Sequence, residues 1–121
     1  MRSILTLALL AGLTALPSPA SAQPASRADK AQVLAWAKNF FSDPYSLRST
    51  EISDRAVVKG VEVVCVAFNA KNAYGGYVGV YRKPFEVRGE TLVTPSSRVD
   101  AGTCHQPGIV MRPFPELASI R

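Results

Sequence analysis

The sequence predicts an α+β fold, an N-terminal helix packed on an antiparallel sheet of three or four strands. Three stretches predict it. Val61–Ala70 is almost entirely β-branched, aromatic or small, with Glu62 its single charge, which suits a strand. Ser26–Phe41 carries apolar side chains at helical spacing behind a capping sequence, which suits a helix with one face to bury. Between them in character, Asn69–Gly76 gathers residues that tolerate positive φ, the requirement for a chain reversal.

Taken in order, the chain begins with Arg2, an apolar run from Ile4 to Leu16, two prolines and the small residues Ala20-Ser21-Ala22. This is the layout of a secretory signal peptide over residues 1–22, too short to span a membrane comfortably as a helix. Cleavage is expected after Ala22, with an uncleaved anchor as the alternative. The expected product, residues 23–121, has the length of one small domain with an irregular, proline-rich C-terminal segment, and is periplasmic or secreted.

Ser26 and Asp29 are spaced as a helix N-cap and its N3 partner. In the helix that follows, Val33, Leu34, Ala37, Phe40 and Phe41 form one apolar stripe with Trp36 at its edge, expected to cover the sheet or, alternatively, to stay free for a partner helix. Pro44 ends it, because the residue before a proline is driven out of the helical region. Tyr45–Ser53 reads as a first strand. Its apolar points Leu47 and Ile52 differ in parity, so a bulge or a late start is implied. Asp54-Arg55 turns the chain, and Ala56–Val58 extends towards Gly60.

Val61–Ala70 is then the core strand: Val61, Val63, Cys65 and Ala67 line one face and Val64, Val66 and Phe68 the other, so both faces need cover. Gly76–Val87 reads as its hairpin partner, with Gly79 marking a bulge or a close backbone approach. Arg88-Gly89-Glu90 reverses the chain into a short strand at Thr91–Thr94. From Ser96 onwards Pro107, Pro113 and Pro115 predict extended or irregular chain, with one helical turn at Pro115–Ile120.

Val64-Cys65, Asn69-Ala70-Lys71-Asn72, Gly75-Gly76-Tyr77 and Gly79 together resemble a recurrent pattern of small exported bacterial proteins, VCG-x-VNAKN-x-(F/Y)-GGY-x-G, often preceded by DPYSLR, here Asp43–Arg48. The resemblance covers Asp43 to Phe85. It departs from the pattern at Val66, where glycine is frequent. It implies an exported α+β domain, and since that family is uncharacterised it implies no activity.

A small domain has a thin stability margin, and two cysteines remain to widen it. Export into an oxidising compartment favours a Cys65–Cys104 disulfide over two free buried thiols, closing a loop of about 40 residues and stabilising by roughly 4 kcal/mol. His105 is the single histidine and adjoins Cys104. A thiol enzyme built on that pair would need unusual backbone geometry and a free thiolate. Cys65, Cys104 and His105 as zinc ligands lack the close cysteine pair of such sites. No cofactor, metal or phosphate-loop motif is present, so no cofactor is expected.

The formal charge of +5 includes Arg2 of the leader and is spread along the chain, so it makes no nucleic-acid footprint. The functional expectation is therefore a non-enzymatic binding module that meets an envelope macromolecule or an anionic ligand through Asn69, Lys71, Asn72, Tyr74, Tyr77 and Tyr81, with a cysteine/histidine-dependent envelope enzyme as the alternative. Lys71, Arg82 and Lys83 would supply cations beside tyrosine faces. The bland alternative is a solvated hairpin in which Asn69 and Asn72 set the turn and the tyrosines pack on their neighbours. Oligomeric state is left open.

Overall fold

The computed structural model describes residues 11–12 and 23–121, so the signal-peptide expectation lies almost wholly outside the described residues. One main helix, α1 (Arg27–Phe40), packs on an antiparallel sheet. The sheet has six strands rather than three or four: β1 (Arg48–Ser53), β2 (Ala56–Val58), β3 (Val61–Asn69), β4 (Tyr81–Arg88), β5 (Thr91–Val93) and β6 (Met111–Pro113). A single helical turn, α2 (Pro115–Ala118), follows, with proline at its start as expected.

The path through the sheet is β5-β4-β3-β1-β6, with β2 pairing the first half of β3. The valine-rich strand is thus central. Its two faces bury different things. Val64, Val66 and Phe68 join Ile52, Phe85 and the helical residues Val33, Ala37 and Leu117 in one core. Val61, Val63 and Cys65 meet Cys104 on the other face, beneath Val99, Ile109 and Met111 of the tail. Val66, where the resembling pattern favours glycine, is fully buried on the helix side.

α1 starts as the sequence predicts: the Asp29 N–H donates to Ser26 Oγ at 3.0 Å and the Ser26 N–H donates to Asp29 Oδ2 at 2.9 Å. Before β1, Pro44–Ser46 forms a 3-10 turn rather than strand, so the late start is real. So is the bulge, since the β1–β3 register slips between Arg48 and Glu51, with Ser49 at φ 54°. The slip lets Leu47 and Ile52 reach one core despite their opposite parity. At the kink between β1 and β2, Ser53 Oγ accepts the Cys65 N–H at 2.8 Å, replacing the lost ladder partner of a buried donor.

Three further expectations need correction. The partner of β3 begins at Tyr81, not Gly76; before it only Lys71 and Tyr77 make an isolated bridge. Gly79 makes no close backbone approach: open space lies where a Cβ would sit, and its φ of 101° is what favours glycine. The tail is not wholly irregular, because Met111–Pro113 pairs with β1 as an edge strand, where a proline at the margin costs no ladder bond.

Candidate functional site

The hairpin arm beyond Phe68 and Tyr81 is built by its asparagines. Asn72 Oδ1 accepts the N–H groups of Tyr74 (2.9 Å) and Gly76 (3.1 Å), and Asn69 Oδ1 accepts that of Gly79 (3.0 Å). Backbone bonds from Asn72 N–H to Gly76 O and from Gly75 N–H to Asn72 O close the turn. Both asparagines therefore have the local, turn-setting role that side-chain to backbone bonding gives this residue.

The six residues singled out from the sequence divide into three groups. Lys71, Asn72 and Tyr81 line a shared groove. Asn69 and Tyr77 anchor the arm: the Tyr77 hydroxyl donates to the Ser46 carbonyl at 2.7 Å, and the Arg48 guanidinium lies 3.5 Å from the ring centre. The Lys71 N–H donates to Ser46 Oγ, a second tie between the arm and the 3-10 turn. Tyr74 stands at the tip, 97% exposed, and joins neither group.

The groove has a volume of about 480 Å³ and runs between the C-terminal end of α1 and the arm. Phe40 and Phe41 form its helical wall, Phe68 its floor, and Val78, Val80 and Tyr81 its outer wall. Phe40 therefore does not cover the sheet as its place in the apolar stripe suggested. It is 52% exposed, the last residue of the helix, and Val78 and Val80 are more exposed still. The floor grows out of the core as a continuous aromatic cluster: Trp36 stacks on Phe40 (4.5 Å) and meets Phe85 edge-on (5.0 Å), while Phe41 meets Phe68 edge-on (4.7 Å).

Among the described residues no acidic side chain lines the groove, and two lysines do. Lys83 Nζ sits 5.1 Å from the Phe40 ring centre and Lys71 Nζ 5.7 Å from that of Tyr77. Neither lysine is in an ion pair among the described residues, whereas Arg55, Arg88, Arg98 and Arg112 each are. The amines lie against ring faces and leave their charge available to an incoming anion. Sequence reasoning missed Phe40, Val78 and Val80 as lining residues, while of the cations it named beside the tyrosines Lys71 and Lys83 line the groove.

Two buried carboxylates away from the groove are spent on structure. Buried Glu86 bonds Arg88, Arg98 and the Ser96 hydroxyl, and hydrogen bonds from Arg88 and Ser96 hold its carboxyl at about 2 against the opposing pull of burial. Burial pushes Asp29 up, but a two-pronged contact with Arg55 (2.9 and 2.8 Å) and the Ser26 N–H carry it below the usual carboxylate range. Cys65 and Cys104 are joined in a disulfide with their Cα atoms 5.7 Å apart. Exposed His105 adjoins a sulfur that is already bonded. Among the described residues no group of three or more His, Cys, Asp and Glu side chains is placed to hold a metal ion, and no helix is long and apolar enough to cross a membrane.

No protein-family model matches the chain, and comparison with curated proteins and with solved structures returned no significant match.

Proposed function

We propose that the protein is an exported, non-enzymatic binding module that holds an anionic ligand with an apolar body in the groove between the end of α1 and the hairpin arm. The observation that carries this reading is the groove itself: exposed Phe40, Val78, Val80 and Tyr81 around an aromatic floor, with Lys71 and Lys83 the only charged side chains among its described lining residues. Exposed apolar side chains are ordinary when scattered, but gathered around one concavity they point to a ligand or partner. Export is supported by the leader-like residues 1–22 and is compatible with the disulfide. The same surface could be met by an anionic segment of an envelope macromolecule. The alternative of a Cys104–His105 enzyme is weakened because an intact disulfide leaves no thiolate to act as nucleophile.

An anilinonaphthalene sulfonate titration tests the reading, because the probe joins an aromatic body to one negative charge. Wild type is expected to enhance its fluorescence saturably. Val80→Asp, which places a carboxylate on an exposed position of the outer wall, is expected to weaken binding at least tenfold with an unchanged circular dichroism spectrum. Equal binding by wild type and variant would remove the groove as the site.

A further inference from the structure

Resting on that reading of the groove, we infer that its ligand is a free single-chain anionic lipid, a long-chain carboxylate whose acyl tail lies along the Phe40, Phe68 and Val80 surface and whose head meets Lys83 and Lys71. Three observations select this class. The first is size, since about 480 Å³ falls within the range of small-molecule sites.

The second is the poverty of side-chain hydrogen-bonding groups. Apart from the two lysines, the described lining residues with side-chain hydrogen-bonding groups are Ser42, Asn72 and Tyr81, and Asn72 Oδ1 already accepts two backbone N–H groups. A peptide laid in the groove would bring an N–H and a C=O at every residue, each costly to desolvate without a partner. An acyl chain brings none.

The third is charge. Lys83 and Lys71 are the cations at the groove, no carboxylate among the described residues lines it beside them, and their amines lie against the rings of Phe40 and Tyr77. A ligand with a single anionic end satisfies that arrangement, and a neutral chain does not.

Trp36, the only tryptophan, stacks on the groove-lining Phe40 and so reports occupancy by its emission. The experiment titrates the full mature chain with sodium dodecanoate below its critical micelle concentration. Saturable change in Trp36 emission is expected, with affinity falling roughly threefold for each methylene removed in the decanoate and octanoate arms. Lys83→Ala should weaken dodecanoate about two- to fivefold and leave dodecanol unchanged. The uncharged double variant Val78→Asn, Val80→Asn should weaken both.

Dodecanol binding as tightly as dodecanoate would overturn the inference. So would absence of any chain-length dependence, a response to phosphatidylglycerol vesicles without one to monomeric dodecanoate, or a response to an acidic valine-rich hexapeptide in dodecanoate's place. Should the sulfonate probe bind at the groove while no alkyl carboxylate does, the lipid inference fails and the binding-module reading stands. Should neither bind, both fail.

Discussion

Glu86 lies fully buried on the face of the sheet away from α1, and it survives there because three donors reach it from two directions, Arg88 along its own strand and Ser96 and Arg98 from the tail. A buried carboxylate stripped of such partners is strongly destabilising. Its folded value near 2 lies below the ordinary 4.5, so the stability it contributes is complete above about 4.5 and is lost as the pH falls from there through about 2. Glu86→Gln is expected to be less stable than wild type at neutral pH and to lose less stability over that acid window. Urea midpoints at a series of pH values check it, and parallel curves for the two proteins would contradict it. At this scale the sequence was legible only where partners are close neighbours. Ser26 and Asp29 sit three residues apart and announced their reciprocal bonds. The Asp29–Arg55, Asp54–Arg112 and Glu86–Arg98 pairs join segments whose approach depends on the sheet, and nothing in residue spacing points to them.

Elements with strong periodicity were read well: α1 and the central β3 lie within a residue or so of their expected bounds, and the two-faced burial of β3 follows from its lack of alternation. Elements whose pairing is non-local were not. Met111–Pro113 has no strand pattern of its own and becomes β6 because β1 offers it an edge, with the Thr50 hydroxyl and the Phe114 carbonyl joined at 2.8 Å just beyond. The arm failed for the opposite reason. Gly76–Val80 has strand-like alternation, but the Asn69 and Asn72 side chains take N–H groups that a ladder would use, and the segment departs from its partner. That departure opens the groove. The tail also carries a large share of the helix-side core through Phe114 and Leu117, both fully buried. Phe114→Ala should cost about 3–5 kcal/mol through lost burial and a residual cavity, read from equilibrium unfolding. A loss under about 1 kcal/mol would mean that the tail is not part of the cooperative core.

At the scale of the molecule, three layers are held by different forces. α1 and α2 are held to one face by apolar burial, and residues 96–111 of the tail are held to the other by the Cys65–Cys104 bond and the Glu86 cluster together with a smaller apolar contact. A cross-link across a loop of about 40 residues contributes roughly 4 kcal/mol on the chain-entropy model, a large share of a small domain's margin. The groove belongs to the first of these interfaces, where α1 ends before the arm does and leaves aromatic surface uncovered. The exposed aromatic and valine side chains at that end, bordered by two lysines that have no carboxylate partner among the described residues, are the basis of the binding reading. Amide chemical-shift mapping of residues 23–121 titrated with sodium dodecanoate tests it most directly. The account predicts saturable shifts confined to Phe40–Ser42, Ala70–Asn72 and Val78–Lys83, with the Glu86 cluster and the disulfide-bonded tail unmoved. Shifts centred on the tail, or none at ligand concentrations approaching the micellar limit, would contradict it.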